Sequence, residues 1–276
     1  MKNTLIIPAA GKSSRFPNMK PKWLLTHPDG DLMIQKVFSS FNFDDYENVI
    51  LTVLQDYETI LKNNLKGFIT IKDSDCYVKA NFKSNRNFVC GIKVDRNSNV
   101  ENIQNKSFIV KNDNDVISDI QEKNIISNII CVGVYSISVD LFLHSFKQIR
   151  QSVTYSFNSE LYISHIISYL IYNKTNFDFI PATEFIDWGT LKDWRNEQKK
   201  YKTFFFDIDG VLVENVPKYG SKNWFNSLKI IKRNVEVLKK LSLLGHQIIF
   251  TTSRSHSGVY LFEKFLQEQG IEYKQI

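Results

Sequence analysis

Leu5-Ile6-Ile7-Pro8-Ala9-Ala10-Gly11-Lys12-Ser13-Ser14-Arg15-Phe16, followed by Lys20-Pro21-Lys22, decides how the rest of the chain is read. An apolar run of strand type empties into a turn of small residues that carries Lys12 and Arg15, with Lys20 and Lys22 close behind. Small side chains let backbone N–H groups approach an anion, and Arg and Lys neutralise it from the sides. The stretch is a candidate polyphosphate grip. Two other phosphate loops are excluded by spacing. A P-loop needs a glycine five residues before Gly11, where Ile6 stands. A dinucleotide fingerprint needs glycines at the positions of Ser13 and Phe16.

Working outward, 276 residues are ample for two domains, and 43% hydrophobic with 23% charged content describes an ordinary globular chain. The net charge of +6 is spread along the sequence with no basic run, so small anionic substrates are expected and nucleic acid is not. Cys76, Cys90 and Cys131 form no CxxC pair, which points to reduced thiols and a cytoplasmic location. No apolar run reaches membrane-spanning length, and five scattered histidines lack zinc-type spacing.

The pattern predicts strands at 3–8, 48–54, 67–72, 88–95, 107–111, 127–137 and 177–180. Helices are predicted at 31–42, 139–150 and 159–172, and a polar helix runs to Lys200. Such alternation implies a mostly parallel sheet with helices on both faces. Near Asn196–Lys200 the chain turns hydrophilic, and a buried strand then starts at Thr203-Phe204-Phe205-Phe206. A domain boundary is placed there, giving domains 1–198 and 202–276. The second repeats the theme, with a helix at 229–244, a strand at 247–251 and a helix at 258–269.

Pro8 to Arg15 and Pro21-Lys22 resemble, in order and spacing, the signature of sugar-phosphate and choline-phosphate nucleotidylyltransferases. The resemblance implies a Rossmann-like, mixed and mostly parallel sheet. It implies that Pro8, Ala9, Ala10, Gly11, Lys12, Ser13, Ser14 and Arg15 bind nucleotide, and that Arg15 and Lys22 are catalytic. Nucleotidyl transfer asks the protein mainly to position both partners, supply Mg²⁺ and stabilise the leaving pyrophosphate. Mg²⁺ takes one or two carboxylates. Asp75, after the strand-like Ile69-Thr70-Ile71-Lys72-Asp73-Ser74, resembles the family's metal aspartate. Asp187-Trp188-Gly189-Thr190 resembles the segment that completes the site, although Asp187 could instead cap the helix that follows. Glu122-Lys123, Gly133-Val134-Tyr135 and Glu160-Leu161 resemble acceptor-side segments, where structural roles fit as well as substrate contacts. Lys20-Pro21-Lys22-Trp23 resembles cytidylyl more than thymidylyl transferases, which favours CTP. One departure stands out. Leu54 to Lys66 is short for the family's base-recognition segment, so either the base site is unusual or a stretch is omitted, and an omission with a chain discontinuity is the one expected.

Phe206-Asp207-Ile208-Asp209-Gly210-Val211-Leu212 resembles the first motif of the haloacid dehalogenase (HAD) superfamily. In an extended chain Asp207 and Asp209 point to the same side. The resemblance makes Asp207 the nucleophile and Asp209 the general acid/base, both near Mg²⁺, with Thr252 on the substrate phosphate. The lysine and acids of the later motifs do not occur before Ile276. This half is therefore expected to be incomplete and inactive as a phosphatase, with a longer native chain. The family resemblances together imply an enzyme making a nucleotide-activated sugar or polyol for a bacterial capsule or surface glycan, with a phosphatase of the same pathway fused behind it. The competing reading is a HAD phosphatase with a non-catalytic nucleotide-binding front domain.

Overall fold

The computed structural model describes residues 3–9, 13–52, 64–82, 85–95, 98, 100, 102–151, 161–215, 228–254 and 256–276. These fall into two compact units, Met1–Leu25 with Leu32–Trp194, and Thr26–Asp31 with Arg195–Ile276. The division falls within the helix Leu191–Lys200.

Among the described residues the first unit has nine strands: β1 (Asn3–Pro8), β2 (Asn48–Thr52), β3 (Phe68–Lys72), β4 (Cys76–Ala80), β5 (Phe88–Lys93), β6 (Ser107–Lys111), β7 (Ile117–Glu122), β8 (Ile129–Ser138) and β9 (Asp178–Asp187). Their order is β2-β1-β3-β8-β5-β9-β4, with β6 beside β8 and β7 beside β6. β1 pairs with β2 and β3 in parallel, and β5 with β9 likewise. β8 runs against β3, β5 and β6. The α/β, Rossmann-like class expected from the sequence is the one observed.

From Leu5 to Pro8 β1 is an unbroken apolar run because both of its faces are covered. Leu5 and Ile7 enter one core, and Ile6 enters the other. β8 divides in the same way, Val132 and Val134 to the first core, Cys131 and Ile137 to the second. Helix α1 (Met33–Phe38) packs Met33, Ile34 and Val37 against the first core. Helices α2 (Val139–Gln151) and α3 (Ile163–Tyr172) pack Phe142, Ile166, Ile167 and Leu170 against the second.

Several boundaries differ from the sequence expectation. α1 is shorter than 31–42, because the chain leaves the helix at Ser39 and buries Phe41, whose ring stacks on Phe82 at 4.7 Å. β4 and β7 were not anticipated. β9 is much longer than 177–180. Pro181 looks like a strand breaker, yet it lies where β9 ends its pairing with β5 and begins pairing with β4. The expected discontinuity between Leu54 and Gly67 lies largely at 53–63, outside the described residues.

In the second unit β10 (Thr203–Asp207) and β11 (Gln247–Thr251) pair in parallel. Helices α5 (Lys232–Leu243) and α6 (His256–Glu268) share with them a core that includes Ile208, Leu212, Leu238, Phe250 and Phe262. β10 was expected to be buried, but Phe205 is 68% exposed, because only alternate residues of this strand face the core.

Candidate functional site

The loop after β1 is pinned at both ends. The Ala9 N–H donates to the Thr52 carbonyl at 2.7 Å, and Phe16 is buried in the first core. Ser13 takes a positive φ of 50°, its carbonyl accepts the Phe16 N–H, and its hydroxyl accepts the Lys22 N–H at 3.0 Å. That last bond ties the loop to the Lys-bearing turn, a single 3₁₀ turn over Lys22–Leu24. Ala10, Gly11 and Lys12 lie outside the described residues.

Lys22 reaches the first acid. Its Nζ lies 2.5 Å from Asp75 Oδ2, and Asp75 occupies the turn between β3 and β4. Asp187 is the last residue of β9 and the register partner of Cys76, next to Asp75, while the Trp188 N–H donates to the Asp75 carbonyl. A Cβ placed on Gly189 would stand 3.1 Å from Asp187 Oδ1 and 3.5 Å from Asp75 Oδ2. The two oxygens are therefore no further apart than those lengths laid end to end. Asp187 is not the cap of the next helix, α4 (Leu191–Lys200). Thr190 and Asp193 form that cap reciprocally, the Thr190 hydroxyl donating to Asp193 Oδ2 at 2.6 Å and accepting the Asp193 N–H at 3.2 Å.

Arg15, Asp75, Asp187, Glu122 and Tyr135 line one cleft of about 230 Å³. Pro8, Ala9, Ser13 and Ser14 contribute no side chain to its wall among the described residues. Ser107 donates its hydroxyl to Glu122 Oε2, and so does Ser164 at 2.7 Å. At the rim Lys123 donates to the Tyr162 hydroxyl at 2.6 Å and lies 4.3 Å from its ring centroid. Glu160 lies outside the described residues.

Three charged residues of the site escaped the sequence reading. Asp73 lines the cleft, and Gly133, at a φ of +73°, leaves room for its carboxylate where a Cβ would overlap it. Burial, with the charge of Asp75 second, pushes the Asp73 carboxyl up to about 6. Burial opposes ionisation of Asp75 too, but the Lys22 ammonium, with the charges of Lys106 and Lys72 behind it, holds that carboxyl below its ordinary value. Lys72 is fully buried, and its ammonium donates to the Asp73 and Cys76 carbonyls at 2.6 and 2.7 Å, closing the turn that presents Asp75. Lys106, just before β6, is ion-paired with Asp187.

The acids fit a hard divalent cation. Two carboxylates converge, with coordination positions left for phosphate and water oxygens. Among the described residues no three His, Cys, Asp or Glu side chains form a metal cluster by themselves.

The second unit holds a separate constellation. Asp207 ends β10 opposite Thr251 of β11 and is exposed. Gly210, at a φ of +83°, turns the chain so that its N–H meets the Val213 carbonyl. Thr252 follows Thr251 at the end of the neighbouring strand, and its hydroxyl donates to Asp209 Oδ2 at 3.3 Å. Arg254, 1% exposed at its side chain, grips Asp209 through Nε at 3.0 Å and Nη2 at 2.5 Å.

Comparison with protein-family models finds no match to this chain, and comparison with curated proteins finds none either. Solved structures do resemble it in fold. A nucleoside-diphosphate-sugar pyrophosphorylase from Vibrio cholerae RC9 superposes at a TM-score of 0.58 and 18% identity, over 71% of this chain and 99% of that one. The inositol-1-phosphate CTP transferase of T. maritima gives 0.54 at 14% identity, over 72% and 96%. A CTP:phosphocholine cytidylyltransferase from Streptococcus pneumoniae gives 0.53 at 17%, over 72% and 99%. Over that part of the chain the fold is the one these nucleotidyltransferases have. Among the described residues no helix is long and apolar enough to cross a membrane.

Proposed function

We propose that the first unit, taken as a domain of residues 1–198, transfers a nucleoside monophosphate from an NTP to a small phosphorylated sugar or polyol and releases pyrophosphate. The observation that carries this is the meeting of Asp75 and Asp187 in a cleft also lined by Arg15 and reached by Lys22. Asp75 and Asp187 would hold Mg²⁺, which supplies positive charge to the phosphate oxygens when bound. The loop from Pro8 to Arg15 grips the triphosphate, and Arg15 stabilises charge on the departing pyrophosphate. Lys22 orients the α-phosphate for in-line attack. Glu122, oriented by two serine hydroxyls, and Tyr135 bind acceptor hydroxyls, and Lys123 and Glu160 are assigned to the acceptor as well. CTP is the favoured nucleotide, in keeping with the CTP named for two of the similar structures.

The second unit, taken as 202–276, carries the nucleophile part of a phosphatase site for a phosphate ester of the same pathway and by itself releases no phosphate; capsule or surface-glycan precursor synthesis in the cytoplasm is the setting. Asp207 is the nucleophile and, with Asp209, a metal ligand. Asp209 is also the general acid/base, and Thr252 binds the phosphate. The exposed Asp207 beside the fixed Asp209 supports this division of labour. The decisive experiment incubates the protein with each NTP and a panel of sugar and polyol phosphates and reads pyrophosphate. CTP-dependent release, lost in Asp187→Asn, is expected. Phosphate release lost only in Asp207→Asn, with no pyrophosphate from any pair, would leave the front unit a non-catalytic nucleotide binder.

A further inference from the structure

Each cleft aspartate is met by an ammonium group of its own. Lys22 holds Asp75, and Lys106 holds Asp187. Lys106 enters from a different element, at the end of the 3₁₀ turn Ile103–Asn105. It belongs to the acceptor wall. Its carbonyl accepts the Lys123 N–H at 3.1 Å, and its neighbour Ser107 holds Glu122. Its side chain is 23% exposed, and its ammonium lies 5.6 Å from the centre of the Phe185 ring.

An ammonium and a divalent cation compete for the same carboxylate group, because like charges at contact repel strongly. The exchange leaves no uncompensated charge in this largely buried place, because the arriving cation takes over Asp187 as the ammonium leaves it. The four-carbon lysine stem can swing its head several ångströms, and the Phe185 face offers it an electrostatic rest on the way. We propose that Lys106 occupies Asp187 in the metal-free protein and, once a divalent cation displaces it, turns its ammonium to the phosphate of the acceptor. Lys106 is then a phosphate-binding residue whose availability is set by the metal. This rests on Asp75 and Asp187 being the metal ligands. Metal and phosphate bind cooperatively as a result, and the coupling is the same measured from either side.

The test titrates the whole protein with Mn²⁺, followed by electron paramagnetic resonance of the free ion. Inorganic phosphate is titrated calorimetrically with and without Mg²⁺. Lys106→Met should bind Mn²⁺ about fivefold more tightly than the wild type and bind phosphate, with Mg²⁺ present, at least about fivefold more weakly. Lys106→Gln, which keeps a polar head, should move both affinities in the same two directions, and Lys106→Arg should retain phosphate binding. A merely structural lysine would weaken both affinities together. Mn²⁺ binding unchanged or weaker in both neutral variants, or phosphate binding unchanged, overturns the role of Lys106 and leaves the metal site standing. Absence of Mn²⁺ binding by the wild type overturns the metal site, and this inference with it.

Discussion

In the first unit the paired aspartates, Asp75 and Asp187, lie far apart in sequence, and each meets a partly exposed lysine. In the second they are two residues apart, Asp209 gripped at two nitrogens by a buried arginine and Asp207 left exposed. The cations explain the difference. A lysine is a compact point charge on a flexible stem and can be exchanged for another cation. An arginine fork fixes direction as well as charge and gives it up reluctantly. One cleft is arranged for replacement, and the other holds one acid still beside one that is accessible.

The contrast is broken most directly at Arg254. Arg254→Met leaves the Asp209 carboxylate without its counter-ion and should destabilise the second unit by about 3–5 kcal/mol in urea unfolding. A loss under about 1 kcal/mol would mean that this pair is as exchangeable as those of the first unit. Next in size is Arg15→Ala, expected to slow pyrophosphate release by ~10²–10³ at saturating NTP and Mg²⁺. Wild-type speed would remove the anion-binding loop from the chemistry. The smallest effect sharpens the picture of Asp187. Because Thr190 and Asp193 cap the helix in its place, Thr190→Ala should cost about 0.5–2 kcal/mol of stability in the first unit. Its transfer rate should fall far less than in Arg15→Ala; an equal fall would tie the cap to the reacting groups.

What could be read in the sequence had a local signature. The small-residue loop, the strand ends at Asp75 and Asp187, and the Asp207-Ile208-Asp209-Gly210 turn each carry their meaning within a few residues. β9 was misjudged because its second half owes its pairing to β4 and not to any apolar alternation of its own. Lys106 sits in a polar stretch, Asn105-Lys106-Ser107, that looks like any surface turn, and its partner is brought to it by the fold alone. Asp73 was legible. It precedes Asp75 by two at the end of an apolar strand-like run, although the pair lies in the turn after β3 and not in an extended strand. Arg254 lay in plain view two residues after Thr252, but nothing local indicates that it turns back to Asp209.

The handover of β9 from β5 to β4 also sets a schedule for folding. Asp187 stands at the far end of the last strand to join this sheet, so its meeting with Asp75 is a contact of long sequence separation. Such contacts close only after the chain between them has been ordered. During synthesis the glycine loop, β3 and Asp75 emerge long before β9 does. The nascent chain thus carries one acid of its pair until β9 has been made, and the pair first exists when β9 docks beside β4.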